Sequence, residues 1–357
     1  MSKKPLILGI ESSCDETAAS LITENEQGIP LVLSSIVSSQ VEIHKEFGGV
    51  VPELAARSHV EKIDWIVQKA IDNSGRKIED IDAVASTAGP GLIVCLSVGL
   101  SFGKAFASAL NKPFIAVNHL EGHALSPKLN SNLNYPYLLL LISGGHSQFL
   151  NVKGLGKYKR LGTTIDDSLG EAFDKVAKLL GVEFPGGPQI EVLAKKGDPN
   201  KYDLPKPILN KGGCNLSFAG LKTAILKIAK KIKTDQEKFD LAASFQKTIE
   251  EILYKKTKVA FDEFEKKNNL KEKIFVVAGG VAANKNIRSI LINLCNEENY
   301  KNIFPPLALC GDNAAMIAMV GLEKFKLNQF NNLDHPAKPR WPLDEKAPFL
   351  KGAGIKL

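Results

Sequence analysis

The sequence predicts a duplicated α/β fold, in which two similar halves each carry their own sheet and helices. Three observations carry that expectation. An apolar strand, polar turn and return strand occur near the start of each half; a strand, glycine turn and helix occur later in each; and a Pro, Asn and Ser interruption near Leu129 to Pro136 separates them. At 357 residues and 44% hydrophobic, the chain is long enough for two cores. The expected division is residues 1–132 and 133–310, with the helix and tail of about 311–357 rejoining the first half.

The first hairpin takes Leu6 to Ile10 as a strand, Glu11-Ser12-Ser13-Cys14-Asp15-Glu16-Thr17 as its polar turn and Ala18 to Ile22 as the return. Gly48-Gly49-Val50-Val51-Pro52-Glu53 opens a helix through His59 to Ala70, with His44 and His59 read most simply as surface residues. Ala83 to Ala85 lead into Thr87-Ala88-Gly89-Pro90-Gly91 and then a small-residue helix, Leu92 to Leu110. A glycine turn before a helix suits a phosphate, because turn amides and a partly positive helix end point the same way. The competing reading of each such turn is a plain tight turn.

His119-Leu120-Glu121-Gly122-His123 follows, with two imidazoles four residues apart and therefore on one helical face, where both can reach one metal ion. Glu121 falls about 200° from each of them on an ideal helix, unlike the glutamate of H-E-x-x-H, so a metallopeptidase reading lacks its base. The plain alternative is a satisfied core pair, which only a third ligand overturns. Asp312, in Cys310-Gly311-Asp312-Asn313-Ala314-Ala315, is the candidate. It completes a two-histidine, one-carboxylate set suited to iron or zinc, although an Asp before an alanine-rich helix also reads as its amino-terminal cap.

The second half repeats the grammar. Tyr137 to Ile142 form a strand, Ser143-Gly144-Gly145-His146-Ser147 the turn, and Phe149 to Val152 the return. Asp166-Asp167-Ser168 precede a helix from Leu169 to Leu180, on which Glu171–Lys175 and Asp174–Lys178 have ion-pair spacing. Pro185-Gly186-Gly187-Pro188 marks a turn that a ligand can approach, and Glu191 either reaches that ligand or faces solvent. Ser217-Phe218-Ala219-Gly220-Leu221-Lys222 has no chemistry of its own to name. An amphipathic helix runs from Leu241 to Glu265, and Ile274 to Val277 enter Ala278-Gly279-Gly280 before a helix through Asn284 to Leu294. Gly311 to Phe330 read as a final helix, and Pro336 to Leu357 as an irregular tail. Two such halves predict a nucleotide held between the copies.

The net charge of +7 permits a nucleic-acid partner, but Lys227, Lys230, Lys231 and Lys233 spread along a solvated helix face rather than forming an arginine-rich strip. Five scattered cysteines with no C-x-x-C pair argue against a disulfide framework or zinc knuckle. No apolar run approaches the ~20 residues of a membrane-spanning helix. The expectation is a soluble, untargeted chain in a reducing cytoplasm.

Taken in order, Glu11 to Thr17, Gly48 to Leu54, His119 to His123, Ser143 to His146, Gly170-Glu171-Ala172-Phe173-Asp174-Lys175, Phe218 to Lys222, Gly279 to Asn284 and Asp312-Asn313 resemble the bacterial tRNA N6-adenosine threonylcarbamoyltransferases (the TsaD family) from Leu8 to Leu343. The resemblance implies an actin-like, sugar-kinase and Hsp70-type (ASKHA) fold with an interdomain cleft. It implies an acyltransferase that moves threonylcarbamoyl from threonylcarbamoyl-AMP to N6 of the adenosine adjoining the anticodon, in tRNAs that read ANN codons, with release of AMP. By position, it makes His119, His123 and Asp312 ligands of one divalent metal, iron by preference and zinc otherwise. It makes Leu141, Ile142, Ser143, Gly144, Gly145, Asp174, Gly187, Glu191 and Asn284 substrate-binding positions. His146, Asp15 and Glu16 are candidates for moving the amine's proton. The implied partners are tRNA, a TsaB-like paralogue of the same fold and a TsaE-like P-loop ATPase, with a functional link to a TsaC-type synthase and no membrane. The competing readings are a small-molecule kinase or ATPase of the same fold, which leaves the three ligands unused, and the metallopeptidase.

Overall fold

The computed structural model describes residues 4–131 and 133–348. Contacts divide it into one unit of Met1–Leu133 with Pro305–Glu345 and another of Asn134–Phe304 with Lys346–Leu357, so that the chain leaves the first unit, builds the second and returns. The carboxyl-terminal part of the tail, residues 349–357, lies outside the described residues.

In the first unit, β1 (Ile7–Glu11), β2 (Glu16–Glu24), β3 (Pro30–Ser39), β4 (Ala83–Gly89) and β5 (Phe114–Asn118) form one sheet in the order β3-β2-β1-β4-β5. The three strands β1 to β3 pair antiparallel, while β4 and β5 add parallel to β1. A strand buried on both faces is a near-continuous apolar run, and all five residues of β1 are buried, with Glu11 at its end the one charged residue. Alternate side chains then serve opposite layers. Leu8 and Ile10 join a core with Ile63, Ile66, Val67, Leu100 and Ala107 from α2 (Pro52–Ser74) and α3 (Ile93–Ala109), which follow the short α1 (Val41–Lys45). The other face is covered by a helix that arrives nearly two hundred residues later, Ala314–Lys326. A Cβ at Gly9 would meet the Ala314 carbonyl oxygen at 2.4 Å and the Ala318 nitrogen at 2.6 Å, so this helix rests on the bare backbone of β1.

The second unit repeats the plan with β6 (Tyr137–Ile142), β7 (Ser147–Gly154), β8 (Lys157–Thr163), β9 (Ile274–Ala278) and β10 (Lys301–Ile303), in the order β10-β9-β6-β7-β8. Here β6 to β8 are antiparallel and β9 and β10 add parallel, so β1 to β5 correspond to β6 to β10 strand for strand. The two sheets therefore share one topology, as the repeated grammar predicts. Counting α4 (His119–Leu125) in the first unit, the second unit's helices are α5 (Leu169–Leu179), α6 (Gly186–Ala194), α7 (Ala219–Ala229), α8 (Asp235–Lys266) and α9 (Lys285–Glu297), and the returning helix is α10 (Ala314–Lys326).

Several expectations need correction. Pro185-Gly186-Gly187-Pro188 is not a free turn: Gly186 begins α6, where its Cβ would lie 2.4 Å from that of Ala177, so glycine is what lets α6 start against α5. The long helix begins at Asp235 rather than Leu241, because Thr234 and Glu237 close a capping box there. A 3-10 turn, Gly280–Ala283, separates β9 from α9. His44 and His59 are both fully buried, not surface residues.

Replacing Gly9 with alanine forces β1 and α10 apart. The expected cost is about 1–3 kcal/mol of folding stability, read as a lowered denaturant midpoint.

Candidate metal centre

β5 ends in Asn118, whose side-chain oxygen caps α4 by accepting the Leu120 N–H at 2.9 Å, and the first residue of that helix is His119. One turn on, His123 is fully buried. Asp312 enters from the segment before α10. The cap of α10 is Asn313, whose side chain accepts the Met316 N–H at 3.0 Å, so the capping role read for Asp312 belongs to its neighbour. Asp312 Oδ1 lies 3.1 Å from His123 Nε2 and 3.5 Å from His119 Nε2. Ligand atoms of all three residues lie within 4.8 Å of one another.

A metal with ligands at ~2.1 Å spaces adjacent donors at roughly 3.0–3.4 Å in octahedral or tetrahedral geometry. The His123–Asp312 separation of 3.1 Å falls in that span and the His119–Asp312 separation of 3.5 Å lies just outside it, so a small inward shift would bring the three donors onto one ion; neutral imidazole with carboxylate is a donor set for iron or zinc. The outer shell fits as well. His119 turns Nδ1 toward Glu11 Oε2 at 3.1 Å and the Ser13 hydroxyl at 3.2 Å, which leaves Nε2 for a metal. Glu11 is itself fully buried and accepts the Ser13 N–H at 2.5 Å and the Thr87 hydroxyl at 2.6 Å. In the sequence Glu11 reads only as the start of a polar turn, with no role of its own. Its position, last in an otherwise apolar strand, is the feature that could have found it.

The electrostatics follow from this crowding. Burial disfavours a charged His119, but Asp312 and Glu11 outweigh it and raise its pKa to about 9. Burial likewise penalises the Glu11 carboxylate, yet His119 and the hydrogen bonds hold it below its ordinary range. Glu16, half-buried at the start of β2, goes the other way: burial, then Asp312 and Asp15, push its carboxyl well above the usual value. Burial and the same carboxylates push up the Cys14 thiol, which keeps it out of thiolate chemistry. Asp15 is half-buried beside them. Glu121 is occupied elsewhere, pairing with Lys324 of α10 at 3.2 Å.

The predicted substrate positions all fall in the second unit. Leu141 and Ile142 end β6, fully buried, and Ser143 closes the turn with its N–H donating to the His146 carbonyl at 2.8 Å. Gly144 and Gly145 are exposed, and among the described residues their amides donate to no protein atom; the Ser168 hydroxyl and the Gly170 N–H brace the loop through the Gly144 and Ser143 carbonyls. His146 is half-buried. Asp174 Oδ1 accepts the Gly186 N–H at 2.7 Å, one residue from Gly187, where the Lys178 pairing was read. Glu191 Oε1 accepts the Lys285 N–H at 3.4 Å, and Asn284, 8% exposed, caps α9 and bonds Gln246. The Ser143 to Gly145 loop follows the carboxyl end of β6, and Gly279, packed against Ile142, follows that of the parallel β9, which is where open α/β sheets place ligands.

The family pattern of the tRNA N6-adenosine threonylcarbamoyltransferases matches residues 31–319. The chain belongs to that family. A family member from Pelagibacter ubique (strain HTCC1062), named tRNA N6-adenosine threonylcarbamoyltransferase, is 80% identical over 357 residues and covered, like this chain, to 100%. One from Rickettsia rickettsii (strain Sheila Smith) is 54% identical over 342 residues, which are 95% of this chain and 98% of that one. Among solved structures, component A of Acidaminococcus fermentans (R)-2-hydroxyglutaryl-CoA dehydratase aligns with a TM-score of 0.51 at 14% identity over 90% of this chain and 98% of its own, which places the family member described here in the actin-like fold. Among the described residues no helix is long and apolar enough to cross a membrane.

A metal needs His119 unprotonated, whereas in the metal-free protein this imidazole holds its proton up to a pH of about 9. Uptake at pH 7 is therefore expected to release a proton. Apparent affinity should rise about tenfold per pH unit toward that value and flatten above it. Calorimetry of metal binding in buffers of different ionisation enthalpy checks both.

Proposed function

We propose that this chain transfers the threonylcarbamoyl group of threonylcarbamoyl-AMP to N6 of the adenosine adjoining the anticodon in tRNAs that read ANN codons. The bond formed joins N6 to the carbamoyl carbon; the bond broken joins that carbon to the phosphate oxygen of AMP, which leaves, and the amine gives up a proton. The observation that carries the reading is the full-length likeness to a threonylcarbamoyltransferase, in a chain whose His119, His123 and Asp312 converge on one point.

The residues divide the work. His119 Nε2, His123 Nε2 and Asp312 would hold a divalent metal, Fe(2+) by preference and Zn(2+) otherwise, with Glu11 fixing the His119 ring through Nδ1. Such an ion supplies Lewis-acid polarisation of the mixed anhydride. The open amides of Gly144 and Gly145 can donate to a phosphate or carbonyl oxygen, and Asp174 and Glu191 stand among the groups that would orient the adenylate. Glu16, whose carboxyl retains its proton to unusually high pH, suits proton donation to a leaving group better than removal of one from the amine. That leaves His146 and Asp15 as the candidates for the base.

The setting we infer is cytoplasmic. The partners are tRNA, a TsaB-like paralogue and a TsaE-like P-loop ATPase, and a TsaC-type synthase supplies the adenylate. The kinase reading gives the three convergent ligands nothing to do.

Reconstitution tests this directly. Protein, tRNA, threonine, bicarbonate, ATP, the synthase and the two partners are expected to yield threonylcarbamoyladenosine on nucleoside analysis. His119→Ala with His123→Ala should lose both bound metal and product. Product formed equally without the chain, or unaffected by the double replacement, would sink the reading.

A further inference from the structure

His44 and His59 have no part in the metal group, yet both are fully buried in the first unit and both are hydrogen-bonded on each ring nitrogen. Burying two imidazoles costs stability unless their bonds are made, so their partners matter. The partners admit one arrangement of protons. The Val51 N–H, at the start of α2, donates to His44 Nδ1 at 3.3 Å, so the His44 proton is on Nε2, 3.3 Å from Gln40 Oε1. The other end of that amide, Gln40 Nε2, donates to His59 Nδ1 at 3.3 Å, and the Thr17 hydroxyl lies 2.7 Å from the same nitrogen. His59 therefore keeps its proton on Nε2 and donates it to the Cys14 carbonyl at 3.0 Å.

Four bonds thus run in one direction, from the Val51 amide through His44, Gln40 and His59 to Cys14. A proton added to either ring would set donor against donor, at Val51 or at Gln40. Burial, opposed by the Cys14 carbonyl and by Glu11 and Asp15 and aided by Lys62, lowers the His59 pKa and favours the neutral ring.

The end point of the chain is what gives it a function. Cys14 sits in the turn between β1 and β2, and Gln40 holds the next residue too, its N–H donating to the Asp15 carbonyl at 3.1 Å. One residue earlier, the Ser13 hydroxyl meets His119 Nδ1 and the Ser13 carbonyl accepts the Leu92 N–H at 2.9 Å. Two successive carbonyls of this turn are thus gripped by the same buried network, and the side chains that the turn projects, Asp15 and Glu16, are those whose charges act on Cys14 and on each other beside Asp312. We propose that His59, set by Gln40 and His44, is a positioning residue for threonylcarbamoyl transfer, holding the Ser13 to Glu16 turn against the metal-ligand group. This rests on the transferase reading above.

The test uses the full chain in its reconstituted complex, with His59→Leu removing both bonds and His59→Gln keeping an N–H for the Cys14 carbonyl. His59→Leu is expected to lower kcat on the order of tenfold to a hundredfold, as misplacement of reacting groups does, while KM for tRNA changes by less than about threefold and metal content stays at the wild-type level. His59→Gln should restore most of the kcat. The 15N spectrum of histidine-labelled protein at neutral pH should show His59 and His44 as neutral rings protonated on Nε2. Wild-type kcat in both variants overturns the proposal, as does a His59→Gln variant no better than His59→Leu, or a His59 ring protonated on Nδ1. A wild-type chain with no transfer activity would instead overturn the transferase reading, and the spectrum would then decide the network by itself.

Discussion

Glu11 is the residue on which the first unit turns. A carboxylate with no solvent exposure has to be held by donors, and the donors here come from three elements: the amide of the following turn, the hydroxyl of Thr87 on β4, and the Nδ1 edge of His119 on α4. Each bond therefore serves two ends. It keeps a buried charge satisfied, and it registers β1 against β4 and α4 at the point where the histidines face Asp312. An apolar residue in its place would pack, but it would leave the His119 ring free to rotate and its proton free to move to the metal-binding nitrogen.

How much of this the sequence discloses depends on the range over which each feature is decided. Strands β1 and β6 are legible because their apolar runs are continuous and their turns polar, and the two-histidine spacing is legible because a helix makes it local. Asp312 against Asn313 is less so, since two adjacent capping residues compete and only the Met316 bond shows which one is spent on the helix. His44 and His59 are illegible locally. Each reads as a surface residue, and the burial of His44 goes with its bonds to Gln40 and Val51, while His59 meets Gln40 and Thr17, residues that approach only in the fold. Glu11 was hidden in the same way, its donors lying two, 76 and 108 positions away.

Glycine turns of similar composition are used differently in this fold. The glycine turn after β4 looked suited to phosphate, yet its donors are engaged within the protein: Gly91 donates to the Pro339 carbonyl at 3.2 Å and Leu92 to that of Ser13. It serves as a seat for the tail and a brace for the turn beside the metal group. In the second unit the exposed amides of Gly144 and Gly145 remain available. The glycine turn after β4 is thus used for anchoring, and the glycine turn between β6 and β7 for presenting open donors.

The return of the chain has a consequence in time. The groove along Gly9 and the third ligand are both filled by residues beyond Pro305, after the second unit of Asn134–Phe304 has been made. At ~5–20 residues per second of synthesis, the ribosome takes on the order of 10–40 s to pass from the first unit to α10. During that interval the nascent first unit has a sheet with one bare face and only two of its three ligands. Completion of the metal group therefore waits on synthesis of the second unit's Asn134–Phe304, and a truncated chain that stops before Asp312 carries neither the ligand set nor the covering of α10.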